Sequence, residues 1–353
     1  MILPKFFAAE LGMDAAAIGR AVAVEGITAV IVTPLVGWLV DRYGRRPWLV
    51  FGNIMLATTG ALYLFVDHEG PLLYLAQMCW GVGMVMGFNS AGTMTADIAP
   101  SDRMAQALGL FGAANLGMNA ISPTIAELLA GSVGWKYVFI ASASAGLVAA
   151  LLSLRLREPP RHVPRADDEQ KPVLGIPLMR VYGTTILMTA AFTALFTLHQ
   201  PFALELGVTE VRGFFIGFAI VALTVRIGGG RLIDRFGVLR SSIVALLLYG
   251  AVPPMLGILG PDHLFEIGAM MGLGHGIAYP ALTALGIERA DASSRGMVVA
   301  IIHGAFNGGH AFFAYVLGWA AAQWDYPTAF WAAGLITAAG AALLGVTLRT
   351  KVA

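Results

Sequence analysis

Polar side chains stand at helical spacing inside runs that are otherwise apolar. His303, Asn307 and His310 fall at i, i+4 and i+7, so they share one helix face. Asn115, Asn119 and Ser122 do the same in an earlier run. Asn89, Thr93 and Asp97, and His275 with Tyr279, add further polar groups to neighbouring runs. These stripes suit either the wall of a wet cavity or hydrogen bonds between helices, the latter worth under about 1–2 kcal/mol each. Arg226 is sharper. It precedes Asp234 by eight residues, about 12 Å along a helix, too deep for easy snorkelling, so it must face protein or water and find an acceptor. That acceptor is either a solute or gate, or a structural ion-pair partner. Glu25 and Glu127 also sit in apolar runs; each suits proton coupling or a satisfied interface carboxylate.

Other chemistries fit less well. His303 and His310 are two turns apart, about 10 Å, which argues against joint metal chelation, and no metal or other cofactor is assigned. A histidine here suits proton carriage, since imidazole titrates near neutral pH. Thr185, Thr189, Thr193 and Thr197 step by four along one run and read as packing, with hydroxyls bonding back to their own helix. No H-E-x-x-H, G-x-S-x-G or Walker sequence is present, so no enzyme activity is expected. The glycine-rich "RIGGGR" at 226–231 lies within an apolar run and is a poor phosphate cradle. Cys79, the single cysteine, reads as inert packing.

The elements that must hold these groups are set by lipid. Of 353 residues, 58% are hydrophobic and 12% charged, where a soluble domain carries about a quarter charged. Mean hydropathy is +0.75. The net charge of +1 implies no nucleic-acid partner. The opening "MILPKFFAAELG" lacks the charged n-region and small-residue cleavage site of a leader. Apolar runs long enough to cross a bilayer fall near 18–40, 47–66, 72–95, 104–130, 137–157, 179–202, 213–233, 239–259, 264–287, 297–321 and 327–348. Basic residues cluster in alternate loops, among them Arg42, Arg45, Arg46, Arg103, Arg155, Arg235, Arg240, Arg289 and Arg295; the other loops hold little besides Lys5, Arg20, Lys136 and Arg212. The first set is therefore expected in the cytoplasm. The Pro-rich, charged stretch 158–176 reads as a cytoplasmic linker between a bundle at 1–157 and one at 177–353.

The sequence also repeats. "GWLVDRYGRR" (37–46) returns as "GRLIDRFGVLR" (230–240), placing Asp41 and Asp234 193 residues apart. "SDRMAQALGLFGAANLG" (101–117) is echoed by "SSRGMVVAIIHGAFNGG" (293–309), matching Arg103 to Arg295 and Asn115 to Asn307. Two similar halves joined by a linker are a transporter pattern. Here the chain resembles the major facilitator superfamily, whose best-known motif, G-x-L-x-D-R-x-G-R-R, stands as Gly37, Leu39, Asp41, Arg42, Gly44, Arg45 and Arg46, with a degenerate copy at Gly230, Leu232, Asp234, Arg235 and Gly237. The run 272–290 resembles a helix of bacterial efflux-type members.

The resemblance implies an all-α membrane protein of two pseudo-symmetric helical bundles. Twelve helices are expected and about eleven are found, so the opening residues read as the last turns of a first helix whose upstream part is missing. It implies secondary transport of a small organic solute by alternating access, most simply proton-coupled efflux from a monomer in the inner membrane. An importer or uniporter, or a transport-inactive membrane component with a sensing or scaffolding role, is the alternative. Gly37 and Gly44 are expected to allow close helix approach and a sharp turn, and Arg42, Arg45 and Arg46 to anchor the loop at anionic headgroups. Asp41 and Asp234 are expected to latch the two bundles against helix starts near Ser293–Gly296 and Ser101–Met104; the plainer alternative pairs Asp41 with Arg42, Arg45 or Arg103. One departure stands out: many proton-driven exporters of this family carry Arg four residues before a glycine where this chain has Gln77 before Gly81.

Overall fold

The computed structural model describes residues 1–100, 103–158, 173–228, 236–291 and 294–349, and the side chains of all of these except 41, 104, 105, 108, 296 and 347–349. The described residues form helices α1 (Leu3–Ala9), α2 (Ala15–Tyr43), α3 (Arg46–Tyr63), α4 (Pro71–Ile98), α5 (Met104–Val133) and α6 (Trp135–Leu154). After the linker come α7 (Ile176–Thr193), α8 (His199–Glu205), α9 (Arg212–Gly228), α10 (Val238–Leu259), α11 (Leu264–Glu288), α12 (Arg295–Gln323) and α13 (Tyr326–Arg349). Helix is what a backbone in hydrocarbon must adopt, because only there does each segment satisfy its own N–H and C=O groups.

Seven of these segments are long and apolar enough to cross a bilayer: 15–40, 71–98, 135–154, 176–205, 238–259, 297–323 and 326–346. Among the rest, α3 and the described part of α9 are short, with 18 and 17 residues. α5 and α11 have the length but interrupt their apolar runs with Asn, His and Gly.

Proline opens and glycine closes several helices. Proline stands in the first turn of α3, α4 and α7, where its missing N–H costs nothing. Gly134 and Gly260, at φ +95° and +79°, end α5 and α10 in a conformation only glycine adopts freely. The Asp14 carboxylate accepts the Ala17 N–H at 2.7 Å, and the Asp325 carboxylate accepts the Thr328 N–H at 2.7 Å, so α2 and α13 start on aspartate caps.

Contacts divide the chain into two units. One contains Ala21–Met118 and Ile125–Pro164; the other contains Met1–Arg20, Asn119–Thr124 and Arg165–Ala353. Within the first, α3 packs closely on two neighbours through small residues. A Cβ on Gly52 would lie 2.5 Å from the Gly87 nitrogen, and one on Gly60 would lie 2.7 Å from that of Ala143. Such backbone approach gives dispersion contact where lipid supplies no hydrophobic drive.

In the second unit the tightest seam joins α9 and α11. Gly268, Gly272 and Gly276, spaced by four, meet Phe214, Phe218 and Val225 in turn. The other side of α11 touches α10 where Gly274 faces Tyr249. The span 176–205 is not one regular helix: Ala194–Leu198 is a π turn between α7 and α8, an irregularity that re-aims the residues beside it. α1 docks on α8, its Lys5 N–H donating to Gln200 Oε1 at 3.2 Å while Gln200 Nε2 donates to the Met1 carbonyl at 2.8 Å.

Candidate functional site

The α9–α11 seam decides where Arg226 goes. A Cβ on Gly276 would lie 3.2 Å from Val225 Cγ1, so the next residue, Arg226, comes within electrostatic reach of His275 and Tyr279. Tyr279 is about 14 Å and His275 about 20 Å from the C-terminal end of α11, which puts the guanidinium well away from that helix end. Among the described residues Arg226 has no hydrogen bond and no carboxylate partner.

Around it the polar groups pair with one another. Tyr249 Oη lies 3.3 Å from His275 Nδ1, Tyr279 Oη lies 2.9 Å from His303 Nδ1, and Thr193 Oγ1 lies 2.8 Å from His310 Nδ1. His275 is buried, His303 is exposed, and Asn307 and His310 are half-buried. Rings enclose the cluster: Phe192 and Phe306 have centroids 4.9 Å apart, Phe306 and Tyr279 5.3 Å, and His275 stacks on Tyr279 at 5.8 Å. Phe192 and Thr193 immediately precede the π turn, which carries Phe196 stacked on Phe192 at 4.4 Å. Among the described residues no three His, Cys, Asp or Glu side chains gather to hold a metal.

The first unit carries its own polar cluster. A Cβ on Gly81 would lie 2.6 Å from the Glu25 carbonyl, so α4 crosses α2 closely at that point. The Trp80 side chain stands near the Glu25 carboxylate. One turn away Gln77 is fully buried: Tyr63 Oη donates to its Oε1 at 2.8 Å and its Nε2 donates to the Ala21 carbonyl at 2.9 Å. Gln77 thus joins α2, α3 and α4, a task that needs an acceptor and a donor on one side chain; arginine has no acceptor. Glu127 is buried, with 4% of its surface exposed, on α5. On the same helix Asn115 is exposed; Asn119 and Ser122, which group with the second unit, are half-buried and exposed respectively.

The motif loop is organised by residues outside the motif. Gly44 adopts φ +97° just before α3, and its repeat mate Gly237 adopts φ +82° just before α10. Gly37 plays a different part from the one expected: it is exposed, and among the described residues nothing lies within 4 Å of where its Cβ would be, so it mediates no close helix approach there. Arg45 is buried, 5% exposed, with Nε 2.7 Å from Asp97 Oδ2, a charge contact rather than an aligned hydrogen bond. It is therefore no headgroup anchor. Arg46 donates to the Leu154 carbonyl at the end of α6, and the Arg42 guanidinium lies 5.3 Å from the Trp38 ring centroid.

Glu158 accepts the Arg45 N–H at 2.6 Å on one oxygen and the Arg46 N–H at 2.8 Å on the other, capping the start of α3. The Asp41 side chain, and Gly230, Asp234 and Arg235 entirely, lie outside the described residues, as do 159–172 of the linker. Glu158, Tyr63, Trp80 and Tyr249 were not legible as site residues. Glu158 is the first acid after α6, but no spacing rule ties it to a loop 113 residues earlier.

A multi-pass helical membrane protein is defined by these features, with polar clusters at mid-span and a repeated glycine turn. The family model of the Major Facilitator Superfamily matches residues 1–290 and again 184–352. The chain belongs to that superfamily. It is 29% identical over 237 residues to Multidrug resistance protein 1 of Bacillus subtilis (strain 168), an alignment covering 64% of this chain and 59% of the relative. It is 22% identical over 296 residues to Quinolone resistance protein NorA of Staphylococcus aureus (strain COL), covering 80% of this chain and 75% of the relative. The chain thus spans less than two thirds of the Bacillus relative's length. Its fold is similar to that of a D-xylose-proton symporter, with a TM-score of 0.75 at 17% identity over 94% of this chain and 87% of that one.

Proposed function

We propose that the protein is a secondary active transporter that exports a small organic solute by alternating access, in exchange for protons. The carrying observation is a set of polar groups at membrane depth that retain exposed surface. His303 is exposed, and Tyr279, Asn307 and Arg226 are half-buried. Hydrocarbon would penalise such groups; a water-filled passage would not. In this reading all eleven apolar runs span the bilayer, residues 1–157 and 177–353 are the two bundles, and the linker 158–176 faces the cytoplasm. Asn115, Asn119, Arg226, His275, His303, Asn307 and His310 line the passage. Asp41 and Asp234 latch the closed cytoplasmic side, each at a helix start of the opposite bundle, and Glu25 or Glu127 carries the proton. The names of the efflux relatives support the outward direction.

Reconstitution tests the reading. Proteoliposomes with an acidic interior and an internal pH dye receive a panel of compounds that includes a quinolone. A compound whose uptake drives interior alkalinisation, abolished by a protonophore, supports exchange. Proton movement in the same direction as the compound would replace exchange with symport. No compound-dependent proton or solute movement in either membrane orientation would overturn transport altogether.

A further inference from the structure

Among the described residues of the second unit, acids sit only at helix ends and in connections. Glu205 closes α8, Glu266 and Glu288 bracket α11, Glu210, Asp262, Asp291 and Asp325 lie in connections, and the described parts of α9, α10, α12 and α13 contain no acid. Among the described residues of this unit, Arg226 therefore stands at membrane depth without a carboxylate at its own level. The neighbouring groups are occupied with each other through the Tyr249–His275, Tyr279–His303 and Thr193–His310 contacts. From Tyr279, which the guanidinium reaches, a chain of rings with surface still to offer runs on through Phe306 to Phe192. Phe192, Phe306 and Tyr279 are each half-buried, and Phe306 meets Phe192 at 67° and Tyr279 at 80°. Fully buried Phe218 fixes this wall from behind.

A guanidinium forks onto a carboxylate with two parallel hydrogen bonds, and half-covered aromatic edges and faces accept a planar ring. We infer that the second unit binds an aromatic monoanion, a planar ring bearing one carboxylate, with Arg226 as its counter-ion and Phe192, Phe306 and Tyr279 as its walls. This rests on the transport reading above and names the substrate class for it.

The test uses the full chain in lipid nanodiscs and three probes of one shape: 1-naphthoate, neutral 1-naphthamide and 1-naphthylmethylammonium. Calorimetric titration of the unaltered protein is expected to give naphthoate at least a tenfold lower Kd than the amide, with the ammonium weakest. Arg226→Met is expected to erase the preference for naphthoate over the amide, while Phe306→Ala weakens both alike. Equal binding of naphthoate and amide by the unaltered protein overturns the site, and that comparison needs no variant to fold. A preference that survives in Arg226→Met overturns Arg226 as the counter-ion. Flux separates this inference from the broader reading. Naphthoate that binds while neither it nor any other compound crosses loaded vesicles leaves the site and removes transport; flux of other compounds without any anion preference leaves transport and removes the site.

Discussion

Substituting the three α11 glycines with alanine one at a time should give a graded series. A Cβ at Gly268 would lie 2.1 Å from the Phe214 carbonyl oxygen, at Gly272 it would lie 2.4 Å from that of Phe218, and at Gly276 its nearest atom is a Val225 methyl at 3.2 Å. Contacts under 3.0 Å are essentially never tolerated, so α9 must retreat by about 0.9 Å for Gly268→Ala and about 0.6 Å for Gly272→Ala, against backbone that cannot rotate aside. Overpacking of this kind costs about 1–3 kcal/mol. Gly276→Ala asks a side-chain methyl to give by a few tenths of an ångström and should cost well under 1 kcal/mol, offset by alanine's better helix propensity. Gly304→Ala on α12, with nothing within 4 Å, is the control and should be neutral or stabilising by about 0.5–1 kcal/mol. Thermal denaturation in detergent, read by tryptophan fluorescence, should rank melting temperatures Gly304→Ala highest, then Gly276→Ala, Gly272→Ala and Gly268→Ala. The two costly variants should also lose naphthoate affinity, because the same seam carries Arg226 to Tyr279. Equal melting temperatures for all four variants would refute the seam as the element that sets this spacing.

Asp97→Ala leaves the buried Arg45 without its counter-charge and should cost about 2–3 kcal/mol, less than the roughly 3–5 of a fully buried pair because a fifth of the Asp97 side chain is exposed; chemical denaturation of single and double variants measures it. Gln77→Arg should lower the melting temperature by more than Gln77→Glu, since only the latter keeps an acceptor for the Tyr63 hydroxyl. Glu158→Gln should keep one backbone acceptor and Glu158→Ala neither, so the alanine variant should lose about 1–3 kcal/mol and expose the start of α3 to faster amide exchange. Asp325 sets a pH dependence. The Thr328 hydroxyl and backbone N–H hold its carboxyl below the ordinary Asp range. A lowered folded value means its contribution is present above the unfolded value and is lost as pH falls through the folded one. The melting-temperature gap between the unaltered protein and Asp325→Ala should therefore hold steady from pH 7 to 5 and shrink in stronger acid.

Helix positions were legible because lipid leaves the backbone little choice. Apolar runs at 72–95, 239–259 and 264–287 fall on Pro71–Ile98, Val238–Leu259 and Leu264–Glu288. The π turn inside 179–202 was not legible, since one extra residue per turn leaves the apolar run intact. Nor did the motif reveal which of its glycines turns the chain: Gly37 and Gly44 look equivalent as letters, and only the backbone after α2 requires a positive φ. The threonine stripe divides similarly. Thr185 and Thr189 bond back to their own helix, while Thr193 reaches across to His310. Polar residues at mid-span announced themselves by type, but their partners lie on other helices. Arg226 could be seen as a buried cation; that Tyr279 and His275 would stand beside it depended on the α9–α11 glycine seam.

The five residues Ala194–Leu198 give the span 176–205 an unusual tolerance. A wide turn holds one residue more than an ordinary turn, so a single deletion there can be absorbed by regularising the hydrogen bonds instead of breaking the rod. Orientation is kept as well: the five residues of the wide turn sweep about the same angle and rise as four residues of regular helix, so His199 onward would hold its direction relative to Thr193 and Gln200 its reach to Met1 and Lys5. A one-residue change of length at this point is thus taken up inside the turn, and the segment that grips the chain's first helix is spared; what changes is the aim of the side chains within the turn itself, Phe196 among them.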